Sequence, residues 1–428
     1  MKTAKSRASH LCIFEDNFYR RLLPLVYFRP VYDLRCGILT LREKVLREHT
    51  RVGISLHCRW YLADVIQEQY PDAQINRIDA ESCLFINGRV LAEEKFLKRI
   101  EAAIDETTIL VHDGAVVAAY LTGAHLDSVK LKLEGLLSIS DFGDVPKKEI
   151  DVQMINYPWD LVYRNGEQIS ADFVASTRRR NGKRLEGKIY SGVHLVNRKN
   201  IVLERGAVVK PGVVLDAEEG PIHIGKGAKI FPNATIIGPA YIGENTLIKT
   251  GAKIYEGTSI GEYSKVGGEV EESIIHSYSN KQHDGFLGHS YLGMWVNLGA
   301  DTNNSDLKNN YSSVAVEIDG QKVDSGLLFA GLFMGDHSKS GINSMFNTGT
   351  VVGVCCNIFG TDFPPKYVPS FSWGGSKSLT TYDLERCVKV AEKAMERRKR
   401  VLTLAGRKLM ESVFELTREE RQSRGLPE

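Results

Sequence analysis

Three features that leave strong marks on a sequence are missing from this one. Cysteine is sparse and unpatterned: the seven residues Cys12, Cys36, Cys58, Cys83, Cys355, Cys356 and Cys387 contain no CxxC pair and no even framework. That argues against a disulfide scaffold or a zinc knuckle and for a reducing cytoplasm. Long apolar runs are absent as well. Nothing approaches the ~20 residues that cross a bilayer, and the only apolar run near the basic N-terminus, Leu11–Phe14, is too short for a signal-peptide core. Charge of one sign is missing too, since the net charge of 428 residues is +2. With 43% hydrophobic and 25% charged residues, the composition is that of an ordinary globular protein and points to neither nucleic acid nor membrane. The local cluster Arg178, Arg179, Arg180, Lys183 and Arg184 reads as a solvated linker.

What is present is a period of six. Ile224, Ile230, Ile236, Ile242, Ile248, Ile254, Ile260 and Val266 recur without a miss, and Gly225, Gly243, Gly261 and Gly267 follow four of them. Neither an α-helix nor an ordinary strand repeats every six residues. A parallel β-helix does, with one aliphatic residue per flat face pointing inward and three faces closing a coil of ~18 residues. Similar runs read Val202, Val208, Val214 before it, and Ile274, Phe286, Leu292, Leu298 after a slip in register. A last set is Met334, Phe346, Val352, Ile358.

Upstream, apolar strand-like runs at Leu11–Phe14, Ser82–Ile86, Thr108–His112 and Ala115–Tyr120 alternate with helical spacing at 38–49, 61–70 and 96–104. Asp113-Gly114 is the favoured two-residue hairpin turn. This alternation predicts an α/β domain with a largely parallel sheet. The polar stretch between Ser170 and Lys188 reads as a linker. Inside the coil, a polar loop is expected at 303–310 and a hairpin at Asp319-Gly320. From Thr381 to about Phe414 one or two helices follow, suited to capping the open end of a solenoid. The expected domains are thus 1–180, 181–375 and 376–428.

The chemistry-bearing cluster of the coil runs from His283 through Asp284, Gly285, Phe286 and His289 to Asn297, Gly299 and Asp301. Asp301 lies 18 residues after His283 and so is expected to stack one coil above it. From Glu269 to Thr302 the chain resembles, without gaps, the acetyltransferase half of the bifunctional N-acetylglucosamine-1-phosphate uridylyltransferase/glucosamine-1-phosphate acetyltransferase enzymes. That resemblance implies a left-handed β-helix and a homotrimer with its acyl site between subunits. It also implies that His283 is the general base deprotonating an amine for attack on acetyl-CoA, a task suited to an imidazole, with Asn297 in the same site. His289, Asp301 and Lys308 are further candidates for acyl or acceptor contacts, and backbone N–H groups of the Gly299–Asp301 turn are expected to face the developing oxyanion. Phe286 replaces a family tyrosine, and Glu271 and Glu272 stand near the place of a sugar-phosphate lysine.

The same enzymes begin with a Rossmann-like sugar nucleotidyltransferase domain. Arg21-Leu-Leu-Pro24-Leu25 and Arg29-Pro30 resemble part of its signature, although Glu15-Asp16-Asn17-Phe18-Tyr19 replaces the glycine loop and Val31 replaces a lysine. The stretches Arg29–Lys44, Tyr157–Leu161, Met334–Ser338, Met345–Gly353 and Pro369–Trp373 resemble a divergent sugar nucleotidyltransferase subfamily with this two-domain plan. The resemblance implies a nucleoside triphosphate, a sugar phosphate and Mg²⁺ as ligands of that domain. Arg21, Arg29, Arg35, Arg42 and Lys44 are the candidate phosphate cations. Two other readings remain open. One is a β-helix zinc enzyme of the carbonic anhydrase type using histidines such as His276, His283, His289 and His337. The other is a regulatory protein whose first domain only binds a sugar nucleotide.

Overall fold

Five residues with no charged face, His10–Phe14, cannot form an edge strand, and all five are buried within a seven-stranded sheet. The computed structural model describes residues 9–47, 53–104, 106–179 and 184–426. They form two units: one comprises the chain up to Arg20 with Phe28–Leu34 and Leu39–Asn156, the other Arg21–Tyr27, Arg35–Ile38 and the chain from Tyr157 onward.

In the first unit, Gln74–Ile75, Gly53–Leu56, His10–Phe14 and Ser82–Asn87 lie side by side and parallel. Lys147–Glu149 pairs in parallel with Thr108–His112, so only the pairings of Ala115–Thr122 are antiparallel. The expected hairpin is present, with φ of 47° at Asp113 and 74° at Gly114, as a type I′ turn requires. Helices Leu41–Leu46, Ala63–Gln69 and Phe96–Ala103 stand where the periodicity set them. The end of the first expected helix, 48–49, lies outside the described residues. Thr40 and Glu43 close its N-terminus as a reciprocal capping box.

The stretch after Ser170 differs from expectation. Helices Pro158–Tyr163 and Asn165–Arg179 occupy it. The buried stripe of the second helix is Asn165, Gln168, Ile169, Asp172 and Phe173; it has helical spacing but is half polar, so composition reads it as solvated. Asn165 fixes this helix to the coil. Its carbonyl accepts from Gly37 N–H (2.7 Å) and Ser259 Oγ (3.1 Å), and its amide donates to Gly257 O (2.7 Å). Of the basic cluster, Arg180 and Lys183 lie outside the described residues.

The second unit is a left-handed parallel β-helix with three faces. Ile224, Ile242 and Ile260 stack on one, Ile230, Ile248 and Val266 on the next, and Ile236 and Ile254 on the third. All are fully buried, each contributing about 2 kcal/mol of apolar transfer. Glycine follows them because the next coil is so near: a Cβ on Gly243 would lie 2.6 Å from the carbonyl carbon of Gly261.

Two phases differ from the sequence reading. Leu203, Val209 and Leu215 face inward rather than Val202, Val208 and Val214. Each inward residue has an aliphatic neighbour, so the period alone could not choose between them. Beyond Val266 the coil tightens. Ile260 pairs with Ile275, Val266 with Lys281, and Val270 with Leu287, so Ile275 and Leu287 line the core instead of Ile274 and Phe286. Lys281 thereby occupies an inward seat and is 1% exposed.

Leu292 pairs with Met334, and the chain between makes an excursion carrying the expected hairpin, Ala315–Ile318 against Gln321–Asp324. The expected polar loop instead opens with a strand, Asn303–Asn304, paired with Met345–Phe346. Met334, Phe346, Val352 and Ile358 resume the core. Three helices follow, Leu384–Glu396, Leu404–Leu416 and Arg418–Ser423. Arg421 covers the last coil, its guanidinium 4.1 Å from the Phe414 ring and 5.7 Å from that of Phe371. Arg398 reaches back to Asn280 Oδ1 at 2.8 Å. Among the described residues no helix is long and apolar enough to cross a membrane.

Candidate functional site

The turn that follows the first strand is filled by the protein's own charges. Glu15, fully buried, accepts from Val31 N–H (2.8 Å), Arg59 N–H (3.2 Å) and Arg59 Nε (3.1 Å). Asp16 accepts from Arg89 Nη2 (2.7 Å) and Nε (3.0 Å) and from the Asn87 amide (2.7 Å). Tyr19 lies over the Arg59 guanidinium at 4.3 Å and Phe18 over that of Arg89 at 4.9 Å. Such pairs hold only when nearly every hydrogen-bonding position is used. Below them, His57 donates from Nε2 to Gly135 O (2.7 Å), leaving Nδ1 to accept from Glu15 N–H (3.3 Å). Burial pushes its pKa down to about 4, against the raising effect of the Gly135 contact.

The five candidate phosphate cations divide between the two units. Arg29, Arg42 and Lys44 belong to the first unit, Arg21 and Arg35 to the second. Arg29 is buried and its carbonyl accepts from Arg59 Nη2 at 2.7 Å. Arg42 is paired with Asp33 (2.8 Å) and donates to Tyr70 Oη (2.7 Å). Lys44 is 1% exposed. Arg21 lies 5.8 Å from the Tyr157 ring centre. Arg35 forks onto Glu262 at 2.7 and 3.0 Å and donates to Ile38 O. Burial raises the Glu262 carboxyl, but Arg35 and the Ser277 hydroxyl more than offset this and hold it well below the usual range. Mg²⁺ needs open carboxylate oxygens beside the phosphates. Glu15 and Asp16 are each committed to a guanidinium, so these two do not fit it.

In the coil, the turn after Lys281 is built differently. Lys281 Nζ donates to Gly267 O (3.1 Å) and His283 O (2.9 Å). Its burial lowers the amine's pKa to about 8, with Asp284 and Asp301 opposing. This contact fixes the backbone of His283, whose side chain is exposed and makes no hydrogen bond among the described residues. Asp301 N–H donates to Asp284 O at 3.0 Å, so Asp301 stacks over Asp284 and not over His283. The coil here has one residue fewer than 18, since Asn280 bridges to Asn297. Asn297 Oδ1 accepts from the Asn280 amide at 3.3 Å. The Gly299 N–H, expected at an oxyanion, donates instead to Ser340 Oγ (3.1 Å). The Gly299 and Asp301 N–H groups of this turn are thus both taken up by neighbouring coils. Lys308 is held within its own loop by Ser312 Oγ at 3.4 Å and by Ser313 O.

His289 has a carboxylate partner: Nδ1 lies 2.8 Å from Asp306 Oδ2, and the Phe329 ring stacks on the imidazole at 4.8 Å. Glu271 completes a group with them. Of the four coil histidines considered for zinc, only His289 joins such a group among the described residues. Asp306, Lys281 and the Glu15–Arg59 and Asp16–Arg89 pairs were not singled out from the sequence. None of them left a signal in the sequence, since Lys281 is polar at an inward position and the ion pairs join distant segments.

Residues 11–181 match the family model described as sugar nucleotidyl transferase, and residues 221–255 that of the bacterial transferase hexapeptide. The bifunctional sugar-1-phosphate nucleotidylyltransferase/acetyltransferase of Sulfurisphaera tokodaii is 27% identical over 244 residues, 55% of this chain and 54% of its own. The bifunctional protein GlmU of Methanococcus aeolicus is 30% identical over 235 residues, 54% of this chain and 45% of its own. The chain thus spans about half the length of these curated relatives, both of them transferases. Among solved structures, a UDP-N-acetylglucosamine acyltransferase from Campylobacter jejuni aligns at 11% identity over 54% of this chain and 95% of its own, with a TM-score of 0.22.

Proposed function

We propose that this protein is a transferase of sugar-nucleotide metabolism whose coil transfers an acyl group from acetyl-CoA to the amine of a sugar phosphate or nucleotide sugar. The observation that carries the reading is His283, an exposed imidazole on a turn fixed by Lys281, with no internal partner competing for its ring. A neutral imidazole there accepts the amine proton as the nitrogen attacks the thioester carbonyl. The carbon–sulfur bond then breaks, and CoA leaves as the thiol. Asn297 and Asp301, on the coil that follows this turn, are assigned to the acceptor, together with Lys308. A homotrimer in the cytoplasm completes the proposal. Seven free, buried cysteines agree with a reducing compartment. The test is thiol release from acetyl-CoA against a panel of amino-sugar phosphates and nucleotide amino sugars. Release with one acceptor supports the reading; none with any acceptor overturns it.

For the first domain the proposal is binding of a nucleoside triphosphate and a sugar phosphate. The buried Glu15–Arg59 and Asp16–Arg89 pairs favour binding without turnover, because carboxylates occupy the turn where a phosphate cradle needs bare N–H groups. Nucleotide binding without pyrophosphate release agrees with that. Steady pyrophosphate release with a sugar-1-phosphate and Mg²⁺ assigns nucleotidyl transfer to the domain instead.

A further inference from the structure

We propose that Glu271, His289 and Asp306 form a divalent-cation site on one corner of the coil. The inference stands apart from acyl transfer and gives His289 the role of a ligand rather than an acceptor contact. Coil stacking creates the group. Glu271 pairs with Gly288, the residue before His289, and His289 N–H donates to Glu271 O at 3.3 Å. The next coil brings Asp306 over the same corner. One ligand atom from each residue lies within 4.8 Å of the other two. An ion holding three ligands at ~2.1 Å keeps them within ~4.2 Å of one another, so a small side-chain movement closes the set.

Three further observations point to a cation. First, Gly288 leaves the opening for the Asp306 carboxylate: a Cβ there would stand 2.3 Å from Asp306 Oδ2. Second, the Phe329 ring, inclined 18° to the imidazole, fixes the plane of His289, as ring packing does around ordered ligands. Third, the charge does not balance. Glu271, Glu272 and Asp306 converge on one imidazole, and among the described residues neither glutamate has an ion pair with lysine or arginine. Lys308, the cation nearest Asp306 in sequence, donates into its own loop. One imidazole and two carboxylates suit an ion of borderline hardness such as Zn²⁺, Co²⁺ or Mn²⁺. Such an ion takes the imidazole nitrogen in its neutral form and the two carboxylates in their ionised form.

The experiment is calorimetric titration of the full chain with Zn²⁺ in two buffers of different ionisation enthalpy. The expected result is one saturable site per chain at micromolar concentration. Glu271→Gln, Asp306→Asn and His289→Ala should each weaken it at least about tenfold while melting as cooperatively as the parent. If His289→Ala does not fold, the two isosteric amide variants decide. Absence of a saturable site below about 0.1 mM, or equal affinity in Glu271→Gln and Asp306→Asn, overturns the proposal.

Discussion

The turn after the first strand and the turn after Lys281 both present charged groups at a bend, yet they are finished in opposite ways. At Glu15 and Asp16 every carboxylate is closed on a guanidinium of the same unit and covered by an aromatic ring. At His283 the protein orders the backbone and leaves the side chain exposed. The first arrangement secures the fold around buried charge; the second keeps a titratable group available to something outside the chain. Charge alone does not mark a site, since Arg35 and Arg42 have the right chemistry for phosphate and are paired with Glu262 and Asp33.

The contrast can be broken most severely at Glu15. Glu15→Ala leaves Arg59 buried without its counter-charge and should cost about 3–5 kcal/mol in denaturant unfolding. Replacing both partners with apolar residues of similar volume should recover most of that. Next comes acid. His57 is held neutral, with its pKa lowered to about 4 from an ordinary 6.5. The unfolded chain therefore binds the extra proton first, and stability falls as pH drops from about 6.5 to 4, by about 3 kcal/mol in all. Unfolding midpoints across that window, with His57→Gln flattening the dependence, check the sign. The smallest effect sharpens the comparison from the other side. Lys281 occupies a seat that aliphatic residues hold in the coils below it, so Lys281→Met should raise stability by about 1–2 kcal/mol. The same change should lower acyl-transfer kcat/KM several-fold, because the hold on His283 is lost. A gain in both would mean that the lysine serves neither.

How much of this was legible follows from where the side chains point. The run from Ile224 to Val266 declared the coil because every inward seat is aliphatic and most outward neighbours are not. Val202-Leu203 and Val208-Val209 concealed their phase, since both residues of each pair are aliphatic. Lys281 was invisible as a core position because it is polar, and the helix Asn165–Arg179 read as a linker because Asn165, Gln168 and Asp172 make up half its buried stripe. His283 was singled out through its motif, and the structure adds that its side chain is exposed. The stacking partner of Asp301 was missed by one residue, because coil length is set by corners such as Gly267-Gly268 that no period reveals. Ion pairing between distant segments, as in Glu15–Arg59, has no local signature.

The central claim is that His283 is the base of an acyl transferase, and single-turnover transfer from acetyl-CoA by the parent and His283→Ala tests it most directly. With the acceptor found in the panel, the variant should be slower by about 10²–10⁴-fold, with acetyl-CoA binding retained. Equal rates in the two proteins would contradict it.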